Sequence, residues 1–559
     1  MRTMILLLLV SLLQSPAAQS DKAVVEGVVT SMTTNAPIAG ADVLAISQTG
    51  QAGQNRNVTT NEEGRFSLIL DPGPYRLIVR QQGYVQQSFG QRSPASLGTP
   101  VTLRAGEMKR DAAFRLVPTG TIVGRIYDPD GHPMEGVRVS AAVMGWDASG
   151  RRTVIPSNMG LLRQVVTNDL GEYRMYWLPP GDYYISARDG NGAFVPGPVL
   201  TLADSRQQRY STTYYPGIID PSQATRVNVP PGSEIRGIDF SVTTTRTVTV
   251  RGRINMPDVQ NMTVTQIGMM PVDPASYAEH GNIAFNEQTR TFSIPNVMPS
   301  RYRIVAAVRI PNQRNFTGEV IVDVDRDPVD DLVVTVRPGQ TVRGQVTFED
   351  SPSAVKDALD AKRLHVSLRS ENAGVATAFL DTSGEVQADG AVSLPDVGVM
   401  PYRVSIVGLP PDFYISSARM NGVDLLDRGL QTANVGNGLL QISVSGLGGR
   451  VDGRVVDKDG PVADARVVLV PDPNLRQRHE LYRIAFADAS GRFTMRGIVP
   501  GQYKLIAADE IPSGAYFDTD YMRPLEDKTK AFRIEKNDLI QLDVPIIRPS
   551  TPELNYNPK

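Results

Sequence analysis

TNDLGEYRMYWLPPGDYYI, residues Thr167–Ile185, is the stretch whose reading decides the fold. Asn168-Asp169-Leu170-Gly171 has Asn at the first turn position and Gly where the chain needs positive φ. Tyr173, Met175 and Trp177 then alternate, which predicts a strand with one face in a core and Trp177 pointing inward. Pro179-Pro180-Gly181-Asp182 predicts a type II turn, Pro setting φ and Gly taking the left-handed position. Tyr183, Ile185 and Ala187 begin the return strand. Two turns and two half-buried strands in so short a span are the punctuation of a compact all-β fold.

Copies of this corner run along the chain. Thr60-Asn61-Glu62-Glu63-Gly64-Arg65-Phe66 with Pro72-Gly73-Pro74-Tyr75 lies near the front. Asp488-Ala489-Ser490-Gly491-Arg492-Phe493 with Pro500-Gly501-Gln502-Tyr503 lies near the end. Degraded copies follow Asn286 and Asp389. A strand with a central glycine precedes each one, at Gly27, Gly124, Gly252, Gly344 and Gly453. Their spacing, roughly 90 to 130 residues, is one domain per repeat. The chain is therefore expected to be all-β, a string of tandem Greek-key β-sandwiches of immunoglobulin or transthyretin-like type. The expected divisions are a signal peptide at 1–20, sandwiches at 21–117, 118–245, 246–338, 339–447 and 448–549, and a polar tail at 550–559. The fourth unit carries an insertion, Ser351–Lys362, where Val355 and Leu359 suggest a short helix. Short linkers suggest a semi-rigid rod.

Arg2, the apolar run Met4–Leu13 and the small residues Ala17, Ala18 and Ser20 have the order of a cleaved secretory signal. Export to periplasm, outer surface or medium follows, with no lipoprotein anchor because no cysteine is available. Without cysteine the exported sandwiches must also hold by their cores alone. With 57 basic against 59 acidic residues, no electrostatic case for nucleic acid exists. No second apolar run is long enough to span a membrane, and no run of barrel strands suggests an outer-membrane transporter.

The pattern V-x-G-x-V, turn, A-x-V-x-V, T-N/D-x-x-G-x-F/Y and P-G-x-Y-x-L resembles the carboxypeptidase regulatory-like domain. Units one, two and five match it well, and units three and four lack the Pro-Gly turn. The resemblance implies a transthyretin-like, starch-binding-like sandwich, similar also to collagen-adhesin B-type repeats, as found in large exported bacterial proteins. It implies a binding or spacer role and no catalytic site. Some related adhesin repeats form a Lys–Asn isopeptide bond. Here Arg125, Arg253, Gln345 and Arg454 stand near the corresponding place, and arginine cannot lose its proton, so no cross-link is expected.

Catalytic patterns are fragmentary. His132-Pro133-Met134-Glu135 spells H-x-x-E, but it falls in a turn and no peptidase-sized α/β domain accompanies it. His479-Glu480-Leu481-Tyr482-Arg483 misses H-E-x-x-H because arginine is no zinc ligand. His280 lies far downstream of the first pattern, and His365 is a lone strand histidine. Ser353-x-x-Lys356 lacks its K-T-G and S-D-N partners. The expectation is no enzyme and no cofactor, with zinc disfavoured by these patterns and Ca²⁺ the metal left open. Asp323, Asp325 and Asp327 alternate at a strand end and could hold Ca²⁺, or could simply be a charged edge that discourages aggregation.

Two readings of function remain open. The first is a non-catalytic scaffold or adhesion protein whose partner is a protein at the cell surface. The second is a polysaccharide-binding protein that stacks sugars on exposed aromatics of the second unit, Trp146, Tyr210, Tyr214 and Tyr215. Against the second, tyrosines beside turns often plug the open end of a sandwich.

Overall fold

The computed structural model describes residues 22–48, 55–91, 98–147, 149–156, 164–188, 206–256, 263–272, 280–309, 315–350, 355–356, 363–370, 381–398, 400–431 and 438–548. The signal segment 1–20, the tail 550–559 and nearly all of the insertion Ser351–Lys362 lie outside them, as does part of the loop before Val165. Of the expected insertion helix only Val355 and Lys356 are described, as one helical step with Val355 buried. Two compact units divide the chain after Thr119.

In the first unit the glycine strand Ala23–Ser31 lies between Arg65–Leu70, antiparallel, and Met108–Leu116, parallel. The facing sheet runs Arg56–Thr59, Asp42–Ser47, Gly73–Arg80, with Val101–Leu103 beyond. Alternate residues of both sheets (Phe66, Leu68, Leu70, Tyr75, Leu77 and Phe114) fill the space between them. The second unit repeats this plan four times. Its glycine strands are Gly120–Tyr127, Thr244–Asn255, Gln340–Phe348 and Gly449–Asp457. Each is antiparallel to its corner strand and parallel to a closing strand, so the tandem sandwiches are built as the pattern predicts.

The recurrent glycine has a steric cause. Across the ladder Gly27 faces Phe66, Gly124 faces Tyr173, Gly252 faces Phe292 and Gly453 faces Phe493. A Cβ at Gly27 would sit 2.7 Å from the Phe66 ring, and one at Gly453 would collide with that of Phe493. The closing strand's carbonyl crowds the other side, Leu542 O lying 2.9 Å from the Gly453 position. The aromatic ring folds over bare backbone, which only glycine leaves open. In the degenerate fourth copy Gly344 faces Val392 instead.

The corner itself is held by side-chain caps. Asn168 Oδ1 accepts from the backbone N–H of Leu170 (3.1 Å) and Glu172 (2.8 Å), and Asp488 Oδ1 accepts from Ser490 (2.8 Å) and Arg492 (2.9 Å). Gly64, Gly171 and Gly491 take the expected left-handed conformation at φ +69°, +69° and +75°. The threonine before the turn is buried: Thr167 Oγ1 accepts from Val137 N–H (2.9 Å) and donates to Met134 O (2.6 Å), tying the corner to the neighbouring strand.

Three expectations need correction. The turn before the return strand is not type II, since Gly73 and Gly181 have φ of +149° and +159° and Gly501 is not at positive φ. The buried tyrosine two residues on does the fastening. Tyr183, Tyr302 and Tyr503 each donate their hydroxyl to the carbonyl four residues back, at 2.6, 2.9 and 2.8 Å, and Tyr402 Oη accepts from Gly398 N–H. Trp177 does not point inward: a bulge between Met175 and Leu178 puts it at φ +59°, and Leu178 takes the core position. Strand Arg206–Tyr210, inside the stretch assigned to the second sandwich, ladders onto Thr244–Val248 of the third. The fifth sandwich keeps the expected all-β plan and adds a short helical insertion. Between Gly501–Ala508 and Ala531–Ile534 it carries a 3₁₀ turn, Ala515–Phe517, and an α-helix, Thr519–Glu526, and these cover the outer face of its sheet.

Candidate functional site

The aromatic residues singled out in the second sandwich are not an exposed platform. Tyr214 is 8% exposed in a short strand paired with Ser186 and Ala187. Tyr215 is half-buried and meets Phe240 edge-on at 5.9 Å. Tyr210 is half-buried and leans on the same core as Tyr215. The three tyrosines plug the end of the sandwich, because an open sheet end without side chains over it would leave apolar core wet.

Trp146 has a different fate. It ends the strand Arg138–Trp146, and Asp147 caps the turn that follows, its Oδ1 accepting from Ser149 N–H (2.9 Å) and Arg151 N–H (3.0 Å). Burial alone would raise the Asp147 pKa, but the Ser149 hydroxyl and these amides outweigh it and hold the carboxyl below its ordinary range. The stiffened tip carries Trp146 against the helical insertion of the fifth sandwich. Trp146 Nε1 donates to Asp518 Oδ2 at 2.7 Å, and the indole meets the Tyr521 ring edge-on with centroids 4.8 Å apart. An extended rod of sandwiches two to five would keep these groups apart; the contact replaces that expectation.

The insertion is anchored on its own sandwich. Arg476 donates both guanidinium N–H groups to Glu526 at 2.7 Å, with side chains 11% and 8% exposed. Met522 and Leu525 bury one helix face beside Val468, Val470 and Ile506. His479 stacks on Phe517, centroids 3.9 Å apart and planes 11° from parallel. Burial pushes the His479 pKa down.

The remaining candidate residues do not assemble into a centre. His132 is 77% exposed and faces Asp128 at 3.3 Å. His280 lies between the carbonyls of Gly281 and Met269, and His365 faces that of Arg363. Asp323 is exposed and pairs with Arg301 at 3.5 Å, and Asp325 and Asp327 are exposed beside it. Among the described residues no three His, Asp or Glu side chains converge as a metal site would require. A hollow of about 380 Å³ in the first sandwich, lined by Asp42, Arg80, Gln81, Gln82, Tyr84 and Gln86, is shallow and open.

Sequence reasoning missed the insertion and its aspartate, although the signal was present. Asp518 precedes Thr519-Asp520-Tyr521-Met522-Arg523-Pro524-Leu525-Glu526, an N-cap followed by an acidic first turn and an apolar pair three apart.

With the repeat geometry in hand, the chain can be set beside known proteins. Residues 24–117 match the carboxypeptidase regulatory-like domain. The match covers the first sandwich, where the glycine strand, capped corner and buried tyrosine stand together. No curated protein matches the chain. Among solved structures, a minor pilin of Streptococcus agalactiae is 14% identical, over 43% of this chain and 99% of its own, with a TM-score of 0.21. The shaft pilin of Lactobacillus rhamnosus GG is 11% identical, over 41% and 98%, at 0.19. The Bacillus anthracis TIE protein is 10% identical, over 95% and 76%, at 0.15. TM-scores this low give these likenesses no weight for function. Among the described residues no helix is long and apolar enough to cross a membrane.

Proposed function

We propose that this chain is an exported, non-catalytic scaffold whose carboxypeptidase regulatory-like and related sandwiches work by protein contact at the cell surface. One observation carries this reading. Of the aromatic side chains that a ligand site would use, Trp146 fastens the second sandwich to the fifth through Asp518, and Tyr210, Tyr214 and Tyr215 are taken up in packing. The four histidines are scattered through separate turns and strands, each turned to a local partner. Side chains spent on contacts between sandwiches suit a protein that holds a geometry rather than one that closes on a substrate.

The test is chemical cross-linking on cells that make the protein, with the purified mature chain assayed in parallel on peptide and glycoside reporters and on a glycan array. Cross-links to other envelope proteins without turnover are expected. Reporter hydrolysis that copurifies with the chain would overturn the reading. A glycan signal that survives Trp146→Ala would replace it with polysaccharide binding at a site other than this indole.

A further inference from the structure

The junctions inside the second unit differ in kind. Between the third and fourth sandwiches, Val305 and Ala307 of the third belong to the hydrophobic core of the fourth. Between the fourth and fifth, Arg496 forks onto both oxygens of Asp412, and Gly497 lies against the Pro411 and Phe413 carbonyls. Both junctions also join sandwiches that are consecutive in the chain. The contact of the second sandwich with the fifth lacks the second support, and its apolar part is a single side chain, Trp146, packed against the cluster around Val468, Val470 and Met522. It joins sandwiches far apart in sequence through one charge-assisted hydrogen bond, one aromatic pair and two close backbone approaches.

Those approaches are reciprocal. Gly150, on the tip beyond Trp146, sits where a Cβ would collide with Phe517. Gly514, at the start of the insertion, sits where a Cβ would lie 3.0 Å from that of Trp146 and closer still to the Asp147 carbonyl. Each surface supplies a glycine where the other presses in. Asp518 divides its carboxylate between two tasks: Oδ1 accepts from Asp520 N–H (2.9 Å) and caps the helix, while Oδ2 receives the indole of Trp146. The group that orders the insertion is thus the group that grips the other sandwich.

We infer that Trp146 and Asp518 form a latch that closes the second to fifth sandwiches into a ring and is the first contact in it to open. A contact that rests on one buried indole and one hydrogen bond opens at a lower free energy than the cores on either side. Opening separates the two sandwiches and uncovers the indole together with the Phe517 and Tyr521 rings. The inference does not depend on the proposed scaffold function.

The native chain has no cysteine, so a spin-label pair at Ser149→Cys and Asp520→Cys, both exposed positions, can be read without background in the full mature protein. Double electron–electron resonance should give one short distance. Asp518→Asn keeps the capping oxygen but turns an amide N–H₂ toward the indole N–H, and it should abolish the short-distance peak with the melting transition of the fifth sandwich retained. Trp146→Phe, which leaves the insertion untouched, should broaden the same peak. A long distance in the parent, or a short peak unchanged in both variants, would overturn the latch. Should Asp518→Asn fail to fold, the Trp146→Phe result alone decides.

Discussion

At the scale of single residues, Trp177 departs furthest from its surroundings. The same bulge recurs in three later sandwiches, and its left-handed position is held by Asn296 (φ +58°), Asp396 (φ +56°) and Gly497 (φ +64°). Those residue types tolerate this conformation, whereas a bulky side chain is strained by about 1–2 kcal/mol. Trp177 recovers part of this through its edge-on contact with Tyr176, at 4.8 Å. Trp177→Asn is therefore expected to leave stability within about 1 kcal/mol of the parent, and Trp177→Val to fall below the Asn variant by roughly 1–2 kcal/mol. Urea unfolding of the three proteins checks the order; Val equal to or above Asn would refute the strain account. Alternation alone placed this indole in the core. A bulge adds one residue with no mark in the hydrophobic pattern, so only the copies, with Asn, Asp and Gly at the site, hint at it.

At the scale of the element, the return strand is fastened by its tyrosine. Burial first, against smaller opposing effects, raises the Tyr402 and Tyr503 pKa values to about 12. The unfolded value is about 10. A phenol whose folded pKa lies above its unfolded one stabilises the fold fully below about pH 10, and this contribution disappears as the pH rises through about 12. Alkaline titration followed at 295 nm should therefore show a late group of tyrosines ionising together with loss of ellipticity. Removing the hydroxyl in Tyr503→Phe should cost about 1 kcal/mol near neutral pH. Ionisation of all tyrosines near pH 10 with the sheet intact would contradict both statements. The P-G-x-Y motif was legible as a turn and strand start. The four-residue reach of the hydroxyl was not, because hydrophobic period reports which face a ring takes and says nothing of where its oxygen ends. The helical insertion was overlooked for a related reason. Its apolar pair, Met522 and Leu525, is short, and it packs on the outside of a sheet that the repeat pattern treats as solvent-facing.

At the scale of the molecule, the five glycine strands made the tandem plan readable from the chain, since four of the copies place a bare position under a ring and the fourth keeps the glycine opposite Val392. The contact between the second and fifth sandwiches was beyond such reading. It depends on how successive junctions turn the chain, and local pattern carries no record of that. The tyrosines take the end-plug alternative that the sequence offered beside the sugar platform, and Trp146 meets another sandwich, which neither alternative contained. The first sandwich is different again: its core is drawn wholly from its own strands, Ala23 to Leu116. A fragment spanning residues 22–119 is accordingly expected to give a single cooperative thermal transition by circular dichroism without any disulfide. A non-cooperative melt would show that the core as described is insufficient.

The side-by-side course of first and closing strands also has a mechanical meaning. In the fifth sandwich Arg450–Val456 runs parallel to Leu539–Pro545 along the full ladder. Tension applied through the chain draws two such neighbours in opposite senses along their length. The ladder bonds are then loaded together in shear rather than opened one after another from an end. The fifth sandwich thereby becomes a link that resists traction between the points where the polypeptide enters and leaves it.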